Sequence, residues 1–371
     1  MNRKAKQEIP ELPARARGCL LGGAIGDALG APVEFLTRHE IERRFGPAGI
    51  TDYAPAWGGI GRFTDDTQMT LFTAEGLLRA WTRGCLRGIT TYTGITAASY
   101  QRWLFTQDES HKTNPPSAHG WLLQQSALHD RRAPGNTCLA ALREAGSHGQ
   151  PAINHSKGCG GVMRVAPVGL FAARLGKTMP ASETFNLARD LAGLTHGHPT
   201  GQMPAGVLAV VIREIVTGRT LPAALETAKA CLHEQAEHAE TLAALEEAES
   251  LAADAPPSSN AVATLGEGWV AEEALAIAIY CALVADDFAS ALILAVNHDG
   301  DSDSTGAITG NILGALHGEQ ALPPHWLEPL ELHDVIAEIA SDLVEFPDWP
   351  VSEYAEPTPE SERIMAKYPD W

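Results

Sequence analysis

Positive charge is scarce in this chain: 27 lysines and arginines stand against 46 aspartates and glutamates, for a formal net charge of −19. A surface of that sign repels phosphodiester backbones and anionic headgroups, which argues against nonspecific binding to nucleic acid or to a membrane surface. Long apolar runs are missing as well. No segment reaches the roughly 18 consecutive apolar residues of a membrane span. The first ten residues carry positive charge with no apolar core behind them, which excludes a secretory signal. The six cysteines, at 19, 85, 138, 159, 231 and 281, form no Cys-x-x-Cys pair. They read as reduced thiols of a cytoplasmic protein. Alternating strand patterns are nearly absent, which leaves helices to build the fold.

Apolar residues recur at three- and four-residue spacing over 68–83, 120–131, 137–146, 183–194, 203–217, 222–252, 271–285 and 304–317. Turn residues separate these segments at Asn114-Pro115-Pro116, Ala133 to Asn136, Gly158 to Gly161 and Ala255 to Ser259. With 371 residues and 44% hydrophobic content the chain can bury a large core. The expected architecture is all-α, one compact multi-helix domain over 14–340. An N-terminal extension covers 1–13, and an acidic extension rich in proline and aromatics covers 341–371.

Two glycine ridges stand out. Gly18, Gly22, Gly26 and Gly30 recur at every fourth residue, and so do Gly306, Gly310, Gly314 and Gly318. That spacing aligns them on one helical face. Each interior glycine costs about 1 kcal/mol against alanine, so the ridges imply close backbone approach between two central helices. Asp27 interrupts the first ridge, which speaks against a membrane-helix reading.

Acidic clusters accompany the ridges: Thr64-Asp65-Asp66-Thr67, and Gly300-Asp301-Ser302-Asp303-Ser304 at the entrance to the second ridge. Asp, Ser and Thr are also favoured helix caps, so each cluster alone reads as a helix start. Together they suggest an oxygen cage for Mg2+, Mn2+ or Ca2+, because neighbouring carboxylates repel unless a cation holds them. A third constellation, Asn154 to Arg164, is a glycine-rich turn before an apolar helix, suited to cradling phosphate but without P-loop spacing. His196 and His198 lack the helical spacing of a zinc helix. A substrate hydrogen bond and a packed loop histidine are both open readings for His196.

These residues resemble the ADP-ribosylglycohydrolase family, its dinitrogenase-reductase-activating and ADP-ribosylarginine-hydrolysing branches included. The resemblance rests on Gly22 to Phe35 with Glu34, Phe63 to Thr67, Ser156 to Arg164, Thr195 to Pro199, Gly266 to Ala274 and Gly300 to Gly306. It implies an all-α hydrolase that cleaves the glycosidic bond at C1″ of an ADP-ribosyl group with two Mg2+ (or Mn2+) ions. Thr64, Asp65, Asp66, Asp301, Asp303 and Ser304 would hold the metals, with Ser304 where many members have threonine. Glu34, Asp65, Asp66 and Asp303 would carry catalysis, with Glu34 open to two readings, the proton-transfer residue or a partner that supports the metal ligands from behind. Ser156, Lys157, Gly158, Cys159, Gly160, His196, Gly135, Asn136 and Trp269 would contact substrate.

The chain also departs from the family pattern. Gly135-Asn136 follows Arg132-Ala133-Pro134 where some relatives place an acid, and Lys157 and Cys159 replace aromatic and amide residues of some branches. The resemblance implies an ADP-ribosylated protein as partner and ADP-ribose as product, with modified arginine as the expected substrate. Modified serine or a small ADP-ribosyl compound such as O-acetyl-ADP-ribose is the alternative. A non-catalytic, crystallin-like module is a further one, opposed by the oxygen side chains at all six metal positions.

Overall fold

The computed structural model describes residues 10–107, 120–145, 149–254 and 256–370. Most of the expected N-terminal extension, the Asn114-Pro115-Pro116 turn, residue 146, Ala255 and Trp371 lie outside the described residues. Among the described residues there are seventeen α-helices and no β-strand, only isolated bridges at Ala56–Gly59 and Gly158–Val270. Among the described residues no helix is long and apolar enough to cross a membrane.

The glycine ridges build the centre. Helices Leu12–Gly30 and Ser302–His317 lie antiparallel, with Gly18 against Gly314, Gly22 against Gly310 and Gly26 against Gly306. A Cβ on Gly26 would sit 2.0 Å from the Gly306 carbonyl oxygen, and one on Gly314 would sit 1.9 Å from that of Gly18. Backbone therefore touches backbone, which only glycine permits along this seam. Asn311 closes the contact by donating from Nδ2 to the Cys19 carbonyl at 2.8 Å. Because the pair is antiparallel, the end of the first helix meets the start of the second, so Asp27, Glu34 and Asp301 to Ser304 come to one end of the seam.

Two helical expectations fail. Residues 120–131 form two short 3-10 turns, Leu122–Gln124 and Ser126–His129, separated by extended backbone at Gln125. Only Leu122 and Leu128 are buried in those turns, too little apolar face to hold a helix. The segment 222–252 divides into Leu221–His233, which packs on Met203–Val216, and Ala239–Asp254, which packs on Ala271–Val284. One straight rod could not serve both partners.

Helix His333–Glu345 runs through position 340 and packs on the first glycine helix. Beyond it, Phe346 stacks on Phe171 at 4.4 Å between ring centroids, and Trp349 stacks on buried Tyr368 at 5.4 Å. The Asp370 carbonyl accepts from Arg83 at 2.9 Å, which ties the chain end to helix Asp65–Arg87.

Candidate active site

Both acidic clusters do start helices. Thr64 caps Asp65–Arg87, its hydroxyl accepting from the Asp66 amide at 3.4 Å, and Asp301 caps Ser302–His317 by accepting from the Ser304 amide at 3.3 Å. Capping and a chemical role are compatible, since helix N-termini favour negative charge. The two starts face each other: the Ser304 hydroxyl donates to Asp66 at 2.8 Å. Asp27 fixes the first of them from behind. Its carboxylate accepts from the Thr64 amide and hydroxyl at 2.8 and 2.9 Å, and from those of Thr67 at 2.9 and 2.6 Å. Sequence reading missed this role, although a lone carboxylate on a ridge of small residues was a visible signal.

The clusters open into a cleft of about 610 Å³. Glu34, Asp65, Asp66, Asp301, Asp303 and Ser304 line it on the acidic side. Gly135 and Asn136 line a second side, where the Gly135 amide donates to Asp65 at 3.2 Å. Gly158, Cys159, Gly160, His196 and Trp269 line the third, with the Cys159 thiol donating to Asp301 at 2.8 Å. Trp269 and the glycine-rich turn are locked together, because the Cys159 amide donates to the Trp269 carbonyl at 3.2 Å.

Three expected residues do not line this cleft. Thr64 lies behind Asp66, its hydroxyl given to Asp27. Ser156 contacts Thr137 at 3.1 Å and lines the neighbouring cleft. Lys157 turns outward to pair with Glu240, far along the sequence, so the turn reaches the cleft through its glycines and Cys159 rather than through a lysine charge. Residues not assigned from sequence complete the wall, among them Phe35, Trp57, Arg131, Cys138 and Met163.

The electrostatics are one-sided. Burial, then the charge of Asp303, pushes Asp65, Asp66 and Asp301 well above the usual carboxylate range. Asp27 is pushed up to about 7 by the same causes. Glu34 is pushed up to about 11 by burial and then by Asp303, Asp301, Asp65 and Asp27. These groups either hold protons or hold a cation. Glu34 is buried and its Oε2 has no hydrogen-bond partner among the described residues. An all-oxygen donor set with an orphaned carboxylate oxygen fits a hard divalent ion. As the side chains stand, no group of three or more His, Cys, Asp or Glu among the described residues is arranged to hold a metal ion. Asp65, Asp66 and Asp301 are instead occupied by hydrogen bonds from Gly135, Ser304 and Cys159.

His196 is buried in the wall, and burial, then Arg164, lowers it to about 3. Its ring is therefore neutral at ordinary pH. Nδ1 lies 2.9 Å from the Thr195 hydroxyl, which itself accepts from Arg164 at 2.7 Å. The same hydroxyl donates to the Ala192 carbonyl at 3.3 Å, and the ring turns Nε2 toward Gly158 and Gly160.

The family model for ADP-ribosylglycohydrolase matches residues 8–350. The chain is 29% identical over 332 residues to the ADP-ribosyl-[dinitrogen reductase] glycohydrolase of Rhodospirillum rubrum, covering 87% of this chain and 92% of that one. It is 27% identical to an ADP-ribosylarginine hydrolase of Serratia proteamaculans, covering 90% and 81%. Among solved structures it is similar to an ADP-ribosylglycohydrolase-related protein complex, with a TM-score of 0.62 and 27% identity over 91% of this chain and 99% of that one. The chain belongs to the ADP-ribosylglycohydrolase family.

Proposed function

We propose that this protein is a metal-dependent hydrolase that removes ADP-ribose from a modified protein side chain, with arginine as the modified residue. The observation that carries the reading is the meeting of two acidic helix starts and Glu34 in one cleft beside a glycine-rich turn. The names of the Rhodospirillum and Serratia relatives support the substrate class. The Asp65, Asp66, Asp301 and Asp303 carboxylates, with the Ser304 hydroxyl, would hold two Mg2+ or Mn2+ ions. Bound there, the ions would supply Lewis acidity and an anchor for vicinal ribose hydroxyls.

The remaining steps belong to this chain's side chains. Gly158 and Gly160, which carry no side chain, leave room for the pyrophosphate beside the turn, and neutral His196 presents Nε2 to a ribose hydroxyl. The oxygen atoms that line the floor stabilise the positive character that develops at C1″ as the bond to the side-chain nitrogen breaks. Water adds its oxygen at C1″. One proton of that water passes to Glu34 and then to the departing nitrogen, which balances the hydrolysis.

The deciding experiment is a panel of ADP-ribosylated arginine and serine peptides and O-acetyl-ADP-ribose, followed for free ADP-ribose with and without chelation. The expected result is fastest release from arginine, abolished by exhaustive chelation. Release from none of them overturns the hydrolase reading, and a preference for serine of about tenfold or more in kcat/KM overturns the arginine assignment.

A further inference from the structure

Exposed aromatic side chains are few here, and they gather at one place. Among the described residues the large exposed aromatics are Phe35 (68% exposed), Trp57 (38%), Trp269 (39%) and Tyr354 (89%), and the first three line the mouth of the acidic cleft. Phe35 and Trp269 stack on each other at 6.0 Å with 20° between their planes. Exposed rings concentrated at a cleft mouth are a recognition feature rather than a packing one.

Trp57 is presented at a conformational cost. Ala56 and Gly59 exchange both amide-to-carbonyl bonds at 3.0 Å, so Trp57-Gly58 is a two-residue turn with φ of +50° and +81°. Such turns favour Asn-Gly, and a bulky residue there is strained. Only three non-glycine residues among those described have positive φ: Trp57, Ala133 and Leu332. Trp57 and Ala133 line the same cleft. The two segments also share a mount. Arg62 donates to the Trp57 carbonyl at 3.1 Å and lies 3.8 Å from Glu331, while Arg132, next to Ala133, pairs with the same Glu331. Strain held by a shared ion-pair anchor at a cleft is a sign of function.

The geometry points to Trp57, with the Phe35–Trp269 stack, as an aromatic collar that receives the planar cationic side chain from which ADP-ribose is removed. This inference rests on the hydrolase reading above and deepens it by naming the residue that selects the leaving group. Ring faces attract a guanidinium electrostatically, and a neutral leaving group gains nothing from them. Glu34, whose buried Oε2 is unpartnered, lines the same cleft and gives the cation a second acceptor.

The test compares wild type, Trp57→Ala and Trp57→Phe on an ADP-ribosylated arginine peptide and on O-acetyl-ADP-ribose, with the ADP-ribose Kd measured by calorimetry. Trp57→Ala is expected to lower the arginine-to-acetyl ratio of kcat/KM about tenfold, mainly through KM on the arginine peptide. Trp57→Phe should restore most of that ratio. An equal loss on both substrates, or an ADP-ribose Kd weakened by the same factor, overturns the collar and assigns Trp57 to the adenosine or ribose instead. Wild-type protein that cleaves neither substrate overturns the hydrolase reading and the collar together. Wild-type activity on both with an unchanged ratio in Trp57→Ala overturns the collar alone.

Discussion

Helix Asp65–Arg87 carries buried carboxylates at two levels, and they are treated in opposite ways. Glu75, mid-helix, accepts from Arg102 at 2.8 and 3.0 Å and from Ser99 at 2.8 Å, and lies 3.6 Å from Arg79. At the helix start, Asp65 and Asp66 are raised first by burial and then by the neighbouring Asp303 carboxylate. A buried charge is tolerable when paired, and costly otherwise. The mid-helix acid brings its counter-charge within the chain and is structural. The acids at the start are those proposed above to take a cation from outside, and that contrast separates scaffold from proposed site.

The contrast breaks most visibly at Asp303. Asp303→Asn should lower kcat/KM on the order of 10³-fold, weaken Mg2+ binding and leave the far-ultraviolet circular dichroism unchanged. Calorimetric titration with Mg2+ beside the kinetics checks it, and full activity in that variant would sink the two-metal reading. Glu75→Gln should do the reverse. It leaves Arg79 and Arg102 facing a neutral amide, so urea unfolding should show a loss of about 3–5 kcal/mol while kcat per folded molecule is retained. A Glu75→Gln protein of normal stability would show that the pairing is not what holds the helix.

Much of this was legible in the chain because it is local. Glycines at every fourth residue and acids at helix-start positions are short-range patterns, and they pointed to the central pair and to most of the cleft's acidic wall. What sequence could not show is partnership across long separations. Arg102 completes the Glu75 network from another helix, and Glu240 draws Lys157 away from the cleft. Asp27 was visible but its four hydrogen bonds to Thr64 and Thr67 were not. Periodicity over 222–252 hid two helices because the apolar face continues while its packing partner changes.

The two levels should also differ in how pH and metal act on them. Burial and Asp303 raise Asp27 from 3.8 to about 7 in the fold, and burial with its acidic neighbours raises Glu34 from 4.5 to about 11. A raised folded-state pKa contributes stability that is fully present below the unfolded value and is lost as pH rises through the folded value. Metal-free protein should therefore lose thermal stability progressively as pH rises from about 4 through 7, and Mg2+ should stabilise it more at pH 7 than at pH 4.5. Differential scanning calorimetry with and without Mg2+ reads both arms. Equal stabilisation at the two pH values would mean that the ion does not bind through Asp65, Asp66, Asp301 and Asp303.

The smallest effect is expected where the C-terminal segment covers the paired level. Tyr368 is buried close enough to feel Glu75, and Asp370 acts on Arg79, so this segment shields the structural network and stands away from the cleft. Trp349 holds Tyr368 by stacking, and Lys367 lies 4.1 Å from the Trp121 ring while pairing with Glu338 and Asp342. Trp349 is only half-buried, so losing it removes one ring pair and leaves Tyr368 in place. Trp349→Ala should cost about 1 kcal/mol, the scale of an aromatic pair, and lower the melting temperature by about 2 °C in a chain of this size. Activity on O-acetyl-ADP-ribose and Mg2+ affinity should stay at the wild-type level. If either falls with the melting temperature, the two levels of the helix are coupled and the separation of scaffold from site fails at its weakest link.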